Sequence, residues 1–96
     1  MDTTTLFNAA LAAGRVELEA RRGYLAALAA RDSFATFDEY RTARTAAREA
    51  MRAAQDAARI AQDAYHAAER TEHARVVADL AAHDEIVGLF GVEVAS

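Results

Sequence analysis

The sequence predicts an all-α protein: an antiparallel helical hairpin with a long Ala-rich second helix, coiled-coil-like packing and a short C-terminal tail. Three observations lead there. From Thr36 to His83 the chain holds neither Pro nor Gly, so nothing interrupts a helix of roughly 45 residues, about 70 Å long. Along that run Ala recurs in alternating steps of four and three, the spacing of a heptad seam. The link to the preceding helical pattern is short, which turns the two helices back on each other. The expected organisation is one domain over residues 1–96, with a helix over about 3–31, a turn over 32–36, a long helix over about 37–83 and a tail over 84–96.

The first helix starts behind Asp2 or a neighbouring Thr, residues that cap exposed backbone N–H groups. On a wheel of about 100° per residue, Phe7, Leu11, Leu18 and Leu25 fall on one line, with Gly14 in the heptad slot between them. Ala9, Ala13, Val16, Ala20 and Ala27 fall on nearly the opposite side. A helix apolar on two sides is usually held between two neighbours. Gly14 and Gly23 each cost about 1 kcal/mol relative to Ala in a helix interior, a cost that close backbone approach would explain.

The turn contains Asp32-Ser33-Phe34-Ala35, and Thr36 with Glu39 has the spacing of a capping box. Asp38 adds negative charge where the helix dipole favours it. Phe34, Phe37 and Tyr40 cluster at this tip, as a hydrophobic plug or as an aromatic contact for a partner. In the second helix the seam reads Tyr40, Ala43, Ala47, Ala50, Ala54, Ala57, Ala61, Ala64 and Ala68, flanked by Met51, Ala58 and Tyr65. Such a seam has little bulk and allows close approach of helix axes. The large stripe of helix one is the natural filler for it.

The seam fails near residue 70, where Glu72 and Arg75 occupy apolar slots. A first helix of about 40 Å reaches only to about Tyr65, so residues 69–83 are expected to overhang. Beyond them, Ile86, Leu89 and Phe90 make the most apolar stretch of the chain, and Gly88 and Gly91 are expected to end the helix there. The expected partner-binding residues are Phe7, Leu11, Leu18, Leu25, Phe34, Phe37, Tyr40, Ile86, Leu89 and Phe90.

Composition narrows the chemistry. The chain has no Cys, which removes disulfides, thiolate metal sites and thiol nucleophiles. No run of 18 apolar residues is present, so no membrane association is expected, and MDTTTLFNAALAAG lacks the positive start of a signal peptide. All 11 basic residues are Arg, and Ala occurs 27 times. Ala and Arg have GC-rich codons, so the composition fits a high-GC bacterium or its phage. Acids and Arg balance through residue 78, and the net charge of −4 comes from Asp79, Asp84, Glu85 and Glu93. Nucleic-acid binding is disfavoured, because phosphate neutralisation needs a basic surface.

No constellation points to catalysis. Ser33 and Ser96 are the only serines, and neither lies in a nucleophile motif. His66, Glu69 and His73 share about 60° of arc with Asp63 one turn earlier, a set that resembles metal ligands in type. A di-iron bundle repeats Glu-x-x-His across helices, and here only Asp63-x-x-His66 comes near. The expectation is a solvated polar face, with no metal and no cofactor. Arg41, Arg44, Arg48, Arg52 and Arg59 form a ridge beside Asp38, Glu49, Asp56 and Asp63, which reads as surface or inter-subunit charge matching.

The size and hairpin layout are similar to the small secreted WXG100-type helical-hairpin proteins, and Tyr65-x-x-x-Glu69 resembles their export signal. The turn departs from that pattern: Asp32-Ser33-Phe34-Ala35-Thr36-Phe37 contains no Trp-x-Gly. The resemblance implies secretion as an alternative. The leading expectation is a non-enzymatic assembly protein of a bacterium or a bacteriophage virion, cytoplasmic or in the particle, acting as a homo-oligomer or as a subunit bound to protein partners. An acidic adaptor or inhibitor of a host protein is the other alternative.

Overall fold

A computed structural model describes residues 1–95, with side chains described for residues 1–85. Helix α1 spans Thr3–Ala29, a single 3-10 turn spans Arg31–Ser33, and helix α2 spans Phe37–Ala95. The two pack antiparallel as the expected hairpin, with dimensions of 87 × 19 × 15 Å.

Local chemistry sets the helix starts. The Asp2 carboxylate accepts a hydrogen bond from the Thr5 N–H at 2.7 Å, satisfying one of the donors a helix start leaves free. That bond holds the Asp2 carboxyl below the ordinary aspartate value. At α2, the Thr36 hydroxyl accepts from the Glu39 N–H at 3.1 Å, the Thr half of the expected capping box. Helix α1 ends without a Gly cap. Instead the chain tightens through Ser33 N–H to Ala30 C=O at 2.8 Å, and α1 therefore stops at Ala29 rather than at 31.

The C-terminal boundary differs more. Gly88 and Gly91 do not end the helix, and α2 runs on to Ala95 where a separate tail over 84–96 was expected. Gly costs a helix about 1 kcal/mol but removes no hydrogen bond, unlike Pro. The Ile86, Leu89 and Phe90 side chains lie outside the described residues. A straight helix of 59 residues is about 88 Å long at 1.5 Å per residue. The long dimension of 87 Å therefore requires α2 to be essentially straight through residue 70. It is the neighbour that changes there, because α1 runs out.

The seam is a heptad one, but its register differs from the sequence reading. On α2 the buried and half-buried positions trace a seam through Tyr40, Arg44, Ala47, Met51, Ala54, Ala58, Ala61, Tyr65 and Ala68, with Ala43, Arg48 and Gln55 half-buried beside it. Tyr40, Ala54 and Ala58 are buried, at 6%, 7% and 2% exposure. Met51, Ala58 and Tyr65, expected as flanks, are in the seam, while Ala50, Ala57 and Ala64 face solvent. On α1 the matching face is Thr3, Leu6, Ala10, Ala13, Glu17, Ala20, Tyr24 and Ala27. Small residues therefore meet small residues, and the axes can approach closely. The large stripe of α1 is not the filler: Phe7, Leu11, Leu18 and Leu25 remain 43%, 45%, 46% and 56% exposed. Bulk enters the seam instead through Leu6, Tyr24, Tyr40, Met51 and Tyr65, which occupy its two ends and its middle.

Candidate docking surfaces

Four zones among the described residues leave large or charged groups exposed. The first is the large stripe of α1. In heptad terms, Phe7, Leu11, Gly14, Leu18, Arg21, Leu25 and Leu28 succeed one another in steps of four and three beside the seam. Phe7 leans on the mouth of the hairpin, its ring 5.3 Å from that of Tyr65. Burial, then the carboxylates of Glu69 and Glu72, push the Tyr65 phenol above its ordinary value. Arg21 pairs with Glu17 at 3.2 Å, which lets the half-buried Glu17 lay its stem along the seam.

The second zone is the opposite broad face. In an antiparallel pair, positions that follow the seam in the same rotational sense on both helices share one face of the hairpin. The α1 stripe shares its face with Arg41, Arg48, Gln55 and Gln62 of α2. The other face carries a second alanine row on α2: Ala43, Ala46, Ala50, Ala53, Ala57, Ile60, Ala64 and Ala67, again in steps of three and four. Apart from the half-buried Ala43, all of these are exposed, Ile60 at 65%. The sequence reading mixed the two rows, because with so many alanines the spacing alone fits either. The discriminating signal was bulk: Met51 and Tyr65 mark the heptad column that must be inside.

The third zone is the arm of α2 beyond α1. The hairpin closes at its open end with the Thr3 hydroxyl donating to the Glu72 carboxylate at 2.6 Å. From Glu69 to Glu85 every residue is exposed, including Val76, Val77 and Leu80 at 49%, 50% and 57%. The expected overhang is thus present, as continuous helix.

The fourth zone is the tip. Phe34 and Phe37 lie 5.9 and 6.1 Å from the Tyr40 ring, and the Arg31 and Arg44 guanidiniums sit 5.8 and 5.4 Å over it. Tyr40 is spent closing the turn rather than offered to a partner. Phe37, 53% exposed and covered on one side by Arg41 at 5.1 Å, is the tip residue with free surface. The Arg44 Nε, buried against the seam, has no hydrogen-bond partner.

His66 Nδ1 lies 3.2 Å from Glu69 Oε1, an exposed one-turn pair at the edge of an open hollow of about 510 Å³ that also touches Arg70 and His73. Among the described residues no three His, Cys, Asp or Glu side chains converge as metal ligands. No helix among them is long and apolar enough to cross a membrane. Comparison with protein families, curated proteins and solved structures finds no match to this chain.

Proposed function

We propose that this chain is a non-catalytic helical assembly protein, a small subunit of a larger bacterial or bacteriophage structure, working in the cytoplasm or in the particle. The observation that carries the reading is the surface left over after the hairpin has formed. The chain exposes 7328 Å², whereas a folded monomer of 10.3 kDa exposes about 5,400 Å². The excess includes a line of large apolar residues on α1 and the exposed Val76, Val77 and Leu80 on the otherwise charged arm of α2. Burying such surface stabilises by about 25 cal/mol per Å², and a protein partner is the ordinary means of doing so.

The solution mass, measured by light scattering over a range of concentrations, tests this. A concentration-dependent oligomer is expected, and Leu18→Asp should abolish it while leaving helicity unchanged, because Leu18 is half exposed in the single chain. An oligomer indifferent to Leu18→Asp would remove the α1 stripe from the mechanism. The acidic arm favours a second reading, an adaptor that occupies a basic site on another protein. Asp79, Asp84 and Glu85 are all exposed there. Reversing their charge should cripple an adaptor and leave a packing subunit assembled.

A further inference from the structure

The two broad faces of the hairpin differ in a complementary way. The α1 stripe is large and apolar, with Leu11, Leu18 and Leu25 spaced seven apart. Its solvent-side border is basic: Arg15 and Arg22, also seven apart, both exposed. The α2 row on the opposite face is small. Its solvent-side border is acidic: Glu49, Asp56 and Asp63, again seven apart and exposed, with Asp56 in an exposed pair with Arg59 at 3.5 Å. Both patterns repeat every two helical turns, about 10.5 Å. A ridge of Leu with an Arg border fits a trough of Ala with a carboxylate border, in shape and in charge.

Within the single chain these faces cannot meet, since they point in opposite directions. We propose that the partner is a second copy of this chain, whose α1 Leu ridge docks on the α2 alanine row of the first, with Arg15 and Arg22 set against Glu49, Asp56 and Asp63. The inference rests on the assembly reading above and names its partner. Because each copy carries one ridge and one trough on opposite sides, the contact is heterologous. It propagates into a ring if the rotation closes, or into an open stack if it does not.

The test is a charge swap. One variant carries Arg15→Glu with Arg22→Glu, so both of its faces are bordered by acid. The other carries Glu49→Arg, Asp56→Arg and Asp63→Arg, so both borders are basic. All five positions are exposed, and circular dichroism of each variant checks that the helices remain. Light scattering should show each variant alone self-associating about tenfold or more weaker than the parent chain, and the 1:1 mixture assembling again, because every ridge then meets a trough of opposite sign. If a reversal disturbs α1, Arg15→Ala with Arg22→Ala keeps helix propensity and should still weaken assembly. Variants that assemble like the parent, or a mixture that stays dissociated, would overturn the heterologous contact. A parent chain that is monomeric at every concentration would overturn the second-copy partner, while leaving a subunit bound to a different protein standing.

Discussion

Replacing Gly14 or Gly23 by Ala should stabilise the hairpin. Each Gly lies inside α1, with helical backbone and negative φ, so neither position requires a residue without a side chain. A Cβ placed at either meets nothing within 4 Å, so the new methyl displaces no neighbour. The remaining effect is conformational. Gly loses more chain entropy than Ala on entering a helix, and the difference is about 0.8–1 kcal/mol per site. The double variant should therefore gain about 2 kcal/mol. For a chain of this size each kcal/mol moves the melting midpoint by about 4–8 °C, so a rise on the order of 10 °C is expected. The assay is thermal denaturation followed by circular dichroism at 222 nm, at a concentration where the chain is monomeric. An unchanged or lowered midpoint would refute the reasoning, because it would mean that another backbone or side chain occupies the space beside α1.

Three further outcomes follow from local geometry. Ala58→Leu should cost about 1–3 kcal/mol by overpacking a position 2% exposed, while Ala57→Leu, one residue away on the outer row, should stay within about 0.5 kcal/mol; urea titration of the pair checks the register. Thr36→Ala should lose about 1 kcal/mol with its cap on the Glu39 N–H, seen as a lower denaturation midpoint. For Asp2 the folded carboxyl sits below its ordinary value, so its contribution is present above the unfolded pKa and disappears as pH falls through the folded one. The protection factor of the Thr5 amide, its exchange rate set against the intrinsic rate at each pH, should fall across that acidic window, and Asp2→Asn should flatten the dependence.

The hairpin, both caps and the overhang were readable because each rests on a local or a one-dimensional signal. Thr36 and Asp2 act within one turn, and the reach of α1 follows from counting residues at a fixed rise. The register of the α2 seam was not readable from spacing, because Ala50, Ala57 and Ala64 have the same period as Ala47, Ala54 and Ala61 and the same side chain. Only Met51 and Tyr65, too large to leave outside at no cost, distinguish the rows. The Leu stripe misled for a related reason: size suggested an internal filler, but a seam of alanines on both helices closes without one. The C-terminal boundary is not legible from Gly88 and Gly91, because Gly in a helix with no competing structure is only a weak former and not a stop.

The division of α2 at Ala68 also has a thermal consequence. Its first half shares every turn with α1, so those turns form and melt as one cooperative unit. Beyond the Thr3–Glu72 hydrogen bond, the arm as far as Glu85 has only its own backbone ladder. An isolated helix of about that length is marginal in water, and opening free energy differs sharply between packed and unpacked turns of one protein. Amide exchange along α2 should therefore change abruptly near the Thr3–Glu72 hydrogen bond, slow before it and fast after it, and the melting curve should lose its arm at a lower temperature than its hairpin. Contact with another molecule along the arm would erase that step, which makes the exchange profile a direct report of whether the arm is occupied.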